Sequence, residues 1–267
     1  MPSLSFIGLG LYNEKSISLQ GLEIARDSDV AFAELYTSYL PELDLNNLSD
    51  LINKDVIILK RADLEENSKE KILKIASKKN VSLFVPGDPM VATTHVSLRL
   101  LAEKMGIKTR VINASSIISA VSGATGLQIY KFGRTITIPF SEFGPIPRSI
   151  FTFIKENERI GLHTLALLDV DAEKGKYLTI DEAAKKLLSD ERKMGHGVVH
   201  EKKLTIGLSK VGSNRMRIKA GKITDLLNYE FESPPHSMIF PTKLHFLEAE
   251  ALQVICNAEK EDLEGYV

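Results

Sequence analysis

The sequence predicts an α/β protein with two α/β domains, an N-terminal one over residues 1–112 and a C-terminal one over residues 113–267. Three observations support this prediction. Short apolar runs rich in β-forming residues alternate with helical patterns in the first half, as in a mostly parallel sheet. A tight Pro-Gly-Asp-Pro turn at 86–89 separates one of these strands from a helix. Small residues follow the next strand, and a second series of strands and helices begins after them.

The N-terminal domain is expected to hold strands at residues 4–9, 30–33, 56–59, 81–85 and 108–113. Ser18 can cap a first helix that includes Leu19, Leu22 and Ala25. An amphipathic pattern predicts a helix over 68–79, and Thr93-Thr94 can cap another that runs through Leu98 and beyond. This order of elements is typical of strands joined by crossover helices.

The C-terminal domain is expected to hold strands at 134–139, 162–169, 204–209 and 237–240, with a hairpin near 216–220. Helices are predicted over 148–156, 179–189 and 243–258. Thr179 and Glu182 have the spacing of a capping box, which marks a helix start. The glycine-containing stretch 190–203 is predicted to be a mobile surface loop.

Composition excludes several classes of protein. The 34 basic and 35 acidic residues nearly cancel, so nucleic acid and membrane surfaces are not expected partners. The single cysteine, Cys256, excludes an internal disulfide and a cysteine-rich zinc site. The N-terminus lacks a signal-type apolar segment, and no apolar run approaches the roughly 20 residues that span a bilayer. A soluble, cytoplasmic protein is therefore expected.

Turns at strand ends carry the clearest functional signal. Gly8-Leu-Gly10 ends the first strand, but position 13 is Asn, so the third glycine of a nicotinamide fingerprint is absent. In the Pro86–Pro89 turn, Gly87 can adopt a positive φ and let a ligand approach the backbone, and Asp88 could reach that ligand. The alternative is an ordinary loop with favourable turn chemistry.

Other chemistries lack their signatures. His196 and His200 have i, i+4 spacing, but the glycines on both sides of His196 disfavour a helical zinc site, and no metal is expected. Neither a G-x-S-x-G elbow nor a P-loop is present. The strand-end turns contain glycine and apolar residues without Lys or Arg, which suits an aromatic-and-ribose ligand better than a polyphosphate. This pattern favours S-adenosylmethionine.

Several motifs, in this order along the chain, resemble those of the diphthine synthases, the archaeal and eukaryotic branch of the tetrapyrrole-methylase-like methyltransferases. The likeness extends over nearly the whole chain, from about Phe6 to Glu250. Its motifs are Gly8-Leu-Gly-Leu-Tyr12, Ala33-Glu-Leu-Tyr-Thr-Ser38, Val85-Pro-Gly-Asp-Pro-Met-Val-Ala-Thr-Thr-His95, Gly126-Leu-Gln-Ile-Tyr-Lys-Phe-Gly133, Gly161-Leu-His-Thr-Leu-Ala-Leu-Leu-Asp169 and Pro234-Pro-His236.

The resemblance implies two α/β domains of the tetrapyrrole methylase type, with S-adenosylmethionine in a cleft between them, and a homodimer. It also implies the reaction. The amino group of a 3-amino-3-carboxypropyl-histidine on translation elongation factor 2 is methylated, and the archaeal form adds three methyls to give diphthine in diphthamide biosynthesis. The methyl transfer converts S-adenosylmethionine to S-adenosylhomocysteine.

Carried over position by position, the cofactor-binding residues implied by the resemblance are Leu11, Asp88, Val91, Ser116, Ile117, Leu168, Val211 and His236. Val211 fits least well, since the 208–212 segment differs from the usual family pattern, and the 139–147 segment is also atypical. No catalytic residue is assigned. Candidates for orienting the substrate are Glu34, Tyr36, Thr37 and His95.

Two alternatives stay open. A methyltransferase acting on a corrin or porphyrin ring would share the superfamily, although basic residues for the ring carboxylates are scarce in the motifs. A nucleotide-binding module without catalytic activity would not explain so many polar turns at strand ends.

Overall fold

The computed structural model describes residues 2–40, 42–140, 142 and 144–267. The chain divides into two compact units, one of Met1–Ile117 with Val170–Lys176 and one of Ile118–Asp169 with Tyr177–Val267. They are called the N-terminal and C-terminal units below. The division into domains at residues 112/113 stays a prediction.

The N-terminal unit contains a five-stranded parallel sheet. Its strands are β1 (Ser3–Gly8), β2 (Val30–Glu34), β3 (Val56–Leu59), β4 (Asn80–Val85) and β5 (Lys108–Ile112), in the order β3-β2-β4-β1-β5. Every pairing is parallel, and each of the five predicted strands is present. β1 and β4 are almost fully buried, because helices cover both faces of such a sheet.

The helices of this unit are α1 (Leu19–Asp27), α2 (Leu45–Ile52), α3 (Arg61–Glu65), α4 (Lys74–Ala76) and α5 (His95–Lys104). The Ser18 hydroxyl accepts the Gly21 N–H at 3.1 Å, which confirms the predicted cap. The helix predicted over 68–79 is instead a π-helical turn, Lys69–Leu73, that continues into α4. Phe6 and Ile72 belong to the apolar core of one sheet face, and Ile7 and Leu48 to that of the other.

The C-terminal unit contains a second five-stranded sheet, which is mostly antiparallel. The strands that follow β5 are β6 (Ile136–Ile138), β7 (Thr164–Leu168), β8 (Val170–Asp171), β9 (Lys176–Tyr177), β10 (Leu204–Ser209), β11 (Arg217–Lys222) and β12 (His236–Phe240). The sheet order is β11-β10-β12-β7-β6, and within this sheet only β6 and β7 run parallel. β8 and β9 pair separately and, apart from Tyr177, belong to the Val170–Lys176 segment of the N-terminal unit. The strands predicted over 134–139 and 162–169 are shorter than expected.

The remaining helices are α6 (Ile117–Thr125), α7 (Arg148–Arg159), α8 (Ile180–Met194), α9 (Ile223–Leu226) and α10 (Phe246–Cys256). α8 begins at the predicted capping box, where the Thr179 side chain and the Glu182 side chain each accept the other's backbone N–H. No helix among the described residues is long and apolar enough to cross a membrane.

The loop predicted over 190–203 is shorter than expected, and hydrogen bonds hold its backbone. α8 continues to Met194, and the buried Glu191 carboxylate accepts the backbone N–H groups of Gly197, Val198 and Val199 at 2.6, 3.3 and 3.1 Å. Both valines are buried. A carboxylate that caps three consecutive amides fixes the backbone, and the two glycines allow the chain to turn around it.

A buried carboxylate organises the start of α10. Glu248 accepts hydrogen bonds from the backbone N–H groups of Gln128 (2.9 Å) and His245 (2.8 Å), from His163 Nε2 (3.1 Å) and from the Lys131 ammonium. Burial by itself would raise the pKa of the Glu248 carboxyl, but these bonds outweigh burial and lower the pKa to about 2.

We expect this carboxylate to stabilise the C-terminal unit above pH 4.5, its ordinary pKa, and to lose that contribution as the pH falls towards 2. The contribution is about 3 kcal/mol, because the folded state binds the proton more weakly than the unfolded state. Urea unfolding of the wild type and Glu248→Gln at a series of acidic pH values measures it. The difference in the free energy of unfolding between the two proteins should decrease as the pH falls. A difference that stays constant would contradict the proposed role of the Glu248 carboxylate.

Candidate functional site

The carboxyl ends of all five strands of the first sheet lie at one edge. This is the edge at which open α/β sheets bind ligands. The segments that follow β1, β2, β4 and β5 carry the residues singled out in the sequence, at 9–11, 34–37, 86–91 and 113–117. Parallel pairing therefore brings together motifs that are far apart in the chain.

Two glycine turns contact each other at this edge. Gly10 (φ +72°) and Gly87 (φ +68°) exchange backbone hydrogen bonds of 3.2 and 2.8 Å. A Cβ built on Gly87 would meet no atom within 4 Å, so that side of the turn faces open space. A Cβ on Gly8 would lie 2.6 Å from the Gly87 carbonyl oxygen, so β1 and the turn pack too closely for any larger residue. Leu11 directly follows this contact.

Asp88 joins the turn to the segment after β5. Its Oδ1 accepts the Met90 N–H at 3.0 Å, and its Oδ2 accepts Asn113 Nδ2 at 3.0 Å and the Ala114 N–H at 3.2 Å. The side chain is buried. The Asp88 carboxylate thus orders the backbone that leads into Ser116 and Ile117, in addition to any contact with a ligand.

Val91, Ser116 and Ile117 lie at the same edge. Val91 is half-buried in the loop before α5, and Ala92 beside it has a φ of +55°, which is strained for a residue with a Cβ. Ser116 is buried, and Ile117 begins α6. Five of the eight predicted cofactor residues are therefore in the N-terminal unit, on the loops that follow β1, β4 and β5.

The four candidates for substrate orientation form one cluster after β2. The Glu34 side chain is completely buried; its Oε1 accepts the Thr37 hydroxyl at 2.5 Å and contacts His95 Nε2 at 3.0 Å. Its Oε2 accepts the backbone N–H groups of Tyr36 and Thr37, both at 3.1 Å. One carboxylate thus fixes the loop after β2 and the imidazole at the start of α5.

Tyr36 packs edge-on against His95, and the Arg61 guanidinium lies 4.9 Å from the centre of its ring. The Tyr36 hydroxyl is buried and has no hydrogen-bond partner among the described residues. Burial, reinforced by the neighbouring Glu34 carboxylate, raises the pKa of the phenol, so the hydroxyl keeps its proton.

The other three predicted cofactor residues gather at one edge of the second sheet. Leu168 ends β7, Val211 follows β10, and His236 begins β12. Antiparallel pairing places His236 opposite Ser209, with the next residue of β12 opposite Leu167. Lys210, which precedes Val211, has a φ of +50° and donates its N–H to the Pro235 carbonyl at 3.0 Å, so the 209–211 turn is fixed against the start of β12.

The imidazole of His236 is already engaged within the protein. Its Nδ1 accepts the Ile180 N–H at 3.2 Å, so the ring hydrogen is on Nε2, which donates to the Glu232 carbonyl at 2.6 Å. Burial lowers the pKa of this histidine and keeps the ring neutral. A ligand at this position would contact the backbone or the face of the ring.

Sequence reasoning did not single out Asn113 or Arg61. Asn113 was only the last residue of a predicted strand. The hydrogen bond that its side-chain amide donates to Asp88 explains why a polar residue ends that strand. Arg61 follows β3 by two residues, a position whose proximity to Tyr36 only the sheet order reveals. Over the described ranges no three His, Cys, Asp or Glu side chains are arranged to hold a metal ion.

Comparison with known proteins gives consistent results. The family model of the Tetrapyrrole (Corrin/Porphyrin) Methylases matches residues 3–205. A diphthine synthase of Methanocella arvoryzae is 46% identical over 250 residues, which cover 94% of this chain and 96% of that protein. One from Methanosphaera stadtmanae is 39% identical over 264 residues, 99% and 100% of the two chains. A crystal structure of diphthine synthase superimposes with a TM-score of 0.89, at 37% identity and 99% coverage of both chains.

Proposed function

The chain belongs to the diphthine synthase family of tetrapyrrole methylases and is an S-adenosylmethionine-dependent methyltransferase of diphthamide biosynthesis, and we propose the acceptor, the cofactor-binding residues and the assembly from that premise. The acceptor is the amino group of the 3-amino-3-carboxypropyl-histidine of elongation factor 2, and three methyls are added. The observation that carries this proposal is the similarity to diphthine synthases over nearly the full length of both chains.

The residues at the edge of the first sheet fit such a cofactor. The open side of Gly87 lets a ligand lie against the backbone, and Asp88 and the small residues before α6 present polar groups without a cationic side chain. Polar groups without a cationic side chain suit a positively charged sulfonium compound better than a polyphosphate. Bound there, S-adenosylmethionine would supply an activated methyl group. The residues proposed to hold it are Leu11, Asp88, Val91, Ser116 and Ile117, with Leu168, Val211 and His236 of the C-terminal unit.

The protein would contribute by holding the acceptor amine and the methyl donor in position. Holding an amine in line with a methyl donor can account for roughly 7–11 kcal/mol of the barrier. The amine attacks through its lone pair, so it must be neutral, and a pocket that excludes water favours the neutral form. The cluster of Glu34, Thr37 and His95 is rigid enough to orient an acceptor, because each side chain is hydrogen-bonded to another.

A corrin or porphyrin methyltransferase is the alternative within the superfamily. It is not favoured, because relatives that match nearly the whole chain are diphthine synthases. The near-absence of cationic side chains in the strand-end motifs also gives the carboxylates of a tetrapyrrole little to bind.

The proposed partners are elongation factor 2 and a second copy of this chain. Support for a homodimer comes from α10, on which Phe246, Leu247, Val254 and Ile255 are all about half exposed or more. An apolar surface of this kind on a helix is typical of a protein–protein interface. A translation factor as acceptor would place the reaction in the cytoplasm.

We expect S-adenosylmethionine and S-adenosylhomocysteine to raise the melting temperature. At a hundredfold excess over the dissociation constant, a ligand that binds only the folded state stabilises it by about 2.7 kcal/mol. Differential scanning fluorimetry with either compound measures the shift, with a nicotinamide dinucleotide as the control. A shift with the dinucleotide and none with the two sulfur compounds would contradict the proposed site.

A further inference from the structure

Two histidines, His95 and His163, are almost fully buried, and they differ in their hydrogen bonds. His163 uses both ring nitrogens: Nδ1 accepts the Thr242 N–H at 3.1 Å and Nε2 bonds Glu248 at 3.1 Å. The ring nitrogens of His236 are likewise both engaged. His95 bonds Glu34 through Nε2, and its Nδ1 makes no hydrogen bond to any residue in the described part of the chain.

The hydrogen bonds of Glu34 determine which nitrogen of His95 carries the hydrogen. The Glu34 carboxylate accepts from Thr37 Oγ1 and from the backbone N–H groups of Tyr36 and Thr37, so it meets His95 as an acceptor as well. In the neutral form of the ring, Nε2 is therefore the nitrogen that carries the hydrogen, and Nδ1 is the one with the lone pair. A carboxylate that orients an imidazole in this way is the usual support of a histidine base.

His95 is almost fully buried and is also one of the residues that line a cavity. The cavity has a volume of about 310 Å³ and lies between α5 and the segment 64–68, with Glu65, Thr94 and Ser97 among its polar lining residues. The titratable groups around His95 are Glu34, Tyr36 and Glu65. His95 directly follows the loop that carries Asp88 and Val91, so this lining residue is at the same edge of the sheet as the proposed cofactor residues.

We propose that His95 is the catalytic base that takes a proton from the acceptor amine between successive methyl transfers, with Glu34 as its positioning residue. The proposal rests on the proposed function. In each transfer the nitrogen lone pair forms a C–N bond while the C–S bond breaks and its electron pair stays on sulfur. The nitrogen is then a methylated ammonium without a lone pair.

The next transfer requires that lone pair again. An N–H bond of the ammonium breaks, its electrons remain on nitrogen, and the proton passes to His95 Nδ1, which later releases it to water. This happens after the first and the second methyl, and the third methyl leaves a quaternary nitrogen with no proton to remove. An enzyme that methylates one nitrogen repeatedly therefore needs a proton acceptor beside it, and His95, a lining residue of the cavity, keeps Nδ1 without a hydrogen bond in the described part of the chain.

The test uses the full-length chain, S-adenosylmethionine and elongation factor 2 carrying the aminocarboxypropyl arm, with the products resolved by mass spectrometry. In His95→Gln the amide can still donate to Glu34 but has no basic nitrogen. We expect mono- and dimethylated factor to accumulate and trimethylation to slow by roughly 10²–10⁴-fold at neutral pH, the usual contribution of general-base catalysis. The defect should diminish at alkaline pH, where bulk water takes the proton.

His163→Gln is the matched control, because it alters another fully buried histidine that is paired with a buried glutamate. It should lower stability without changing the ratio of mono-, di- and trimethylated products. A second measurement needs no cofactor: ¹⁵N NMR of the ligand-free protein should show His95 protonated on Nε2 and unprotonated on Nδ1.

The outcomes separate this proposal from the proposed function. If the wild type does not methylate the factor, the proposed function fails. If the wild type trimethylates it and His95→Gln does so at the same rate, or with a defect that is equal at every pH, His95 is not the base. Protonation on Nδ1 in the NMR experiment would overturn the proposal as well.

Discussion

Replacing Gly87 by valine is expected to abolish S-adenosylmethionine binding. Gly87 has a φ of +68°, a conformation that a β-branched residue adopts only under strain of about 1–3 kcal/mol. The new Cβ would meet no atom of the protein within 4 Å, so the side chain would extend into the open space proposed for the cofactor. Isothermal titration should then show at least a hundredfold weaker binding, about 3 kcal/mol.

Gly106→Val is the control for backbone strain. Gly106 also has a positive φ (+76°), and a Cβ added to it would meet no atom within 4 Å, but it lies between α5 and β5, at the opposite edge of the sheet. Both variants should lose similar stability in a thermal melt, and only Gly87→Val should lose binding. Normal binding by a folded Gly87→Val protein would mean that the cofactor does not lie against this turn.

Local patterns in the sequence were sufficient to locate most strands and caps. β3 and β10 begin and end at the predicted residues, because each is a short apolar run bounded by polar or turn residues. The Ser18 cap and the Thr179 capping box are likewise local signals. The prediction for residues 190–203 was only partly right, because no local pattern shows that the Glu191 carboxylate accepts amides six to eight residues further along the chain.

The candidate site was predictable only in part, because several of its contacts join residues that are distant in the chain. Glycine turns at strand ends are visible in the sequence, and the structure places the Gly10 and Gly87 turns in direct contact. The bond between Glu34 and His95 joins residues 61 positions apart, and only the sheet order brings them together. The engagement of both nitrogens of His236 also depends on α8, and no local pattern reports it.

The acceptor gives the sharpest prediction about function. Methyl label from S-adenosylmethionine should appear only on elongation factor 2 that carries the aminocarboxypropyl arm on its target histidine. Such an arm presents a primary amine on a flexible chain, which can reach a buried donor while both proteins stay folded. Unmodified factor offers an imidazole without that amine, so its labelling should stay at background.

The experiment compares three forms of the factor under identical conditions: one carrying the arm, one without it, and one in which the target histidine is replaced. Tritium transfer followed by peptide mass spectrometry measures both the amount and the position of the label. Label on the first form alone is the expected result. A comparable rate with unmodified factor would show that the methyl goes to another residue, because neither the arm nor its amine would then be required.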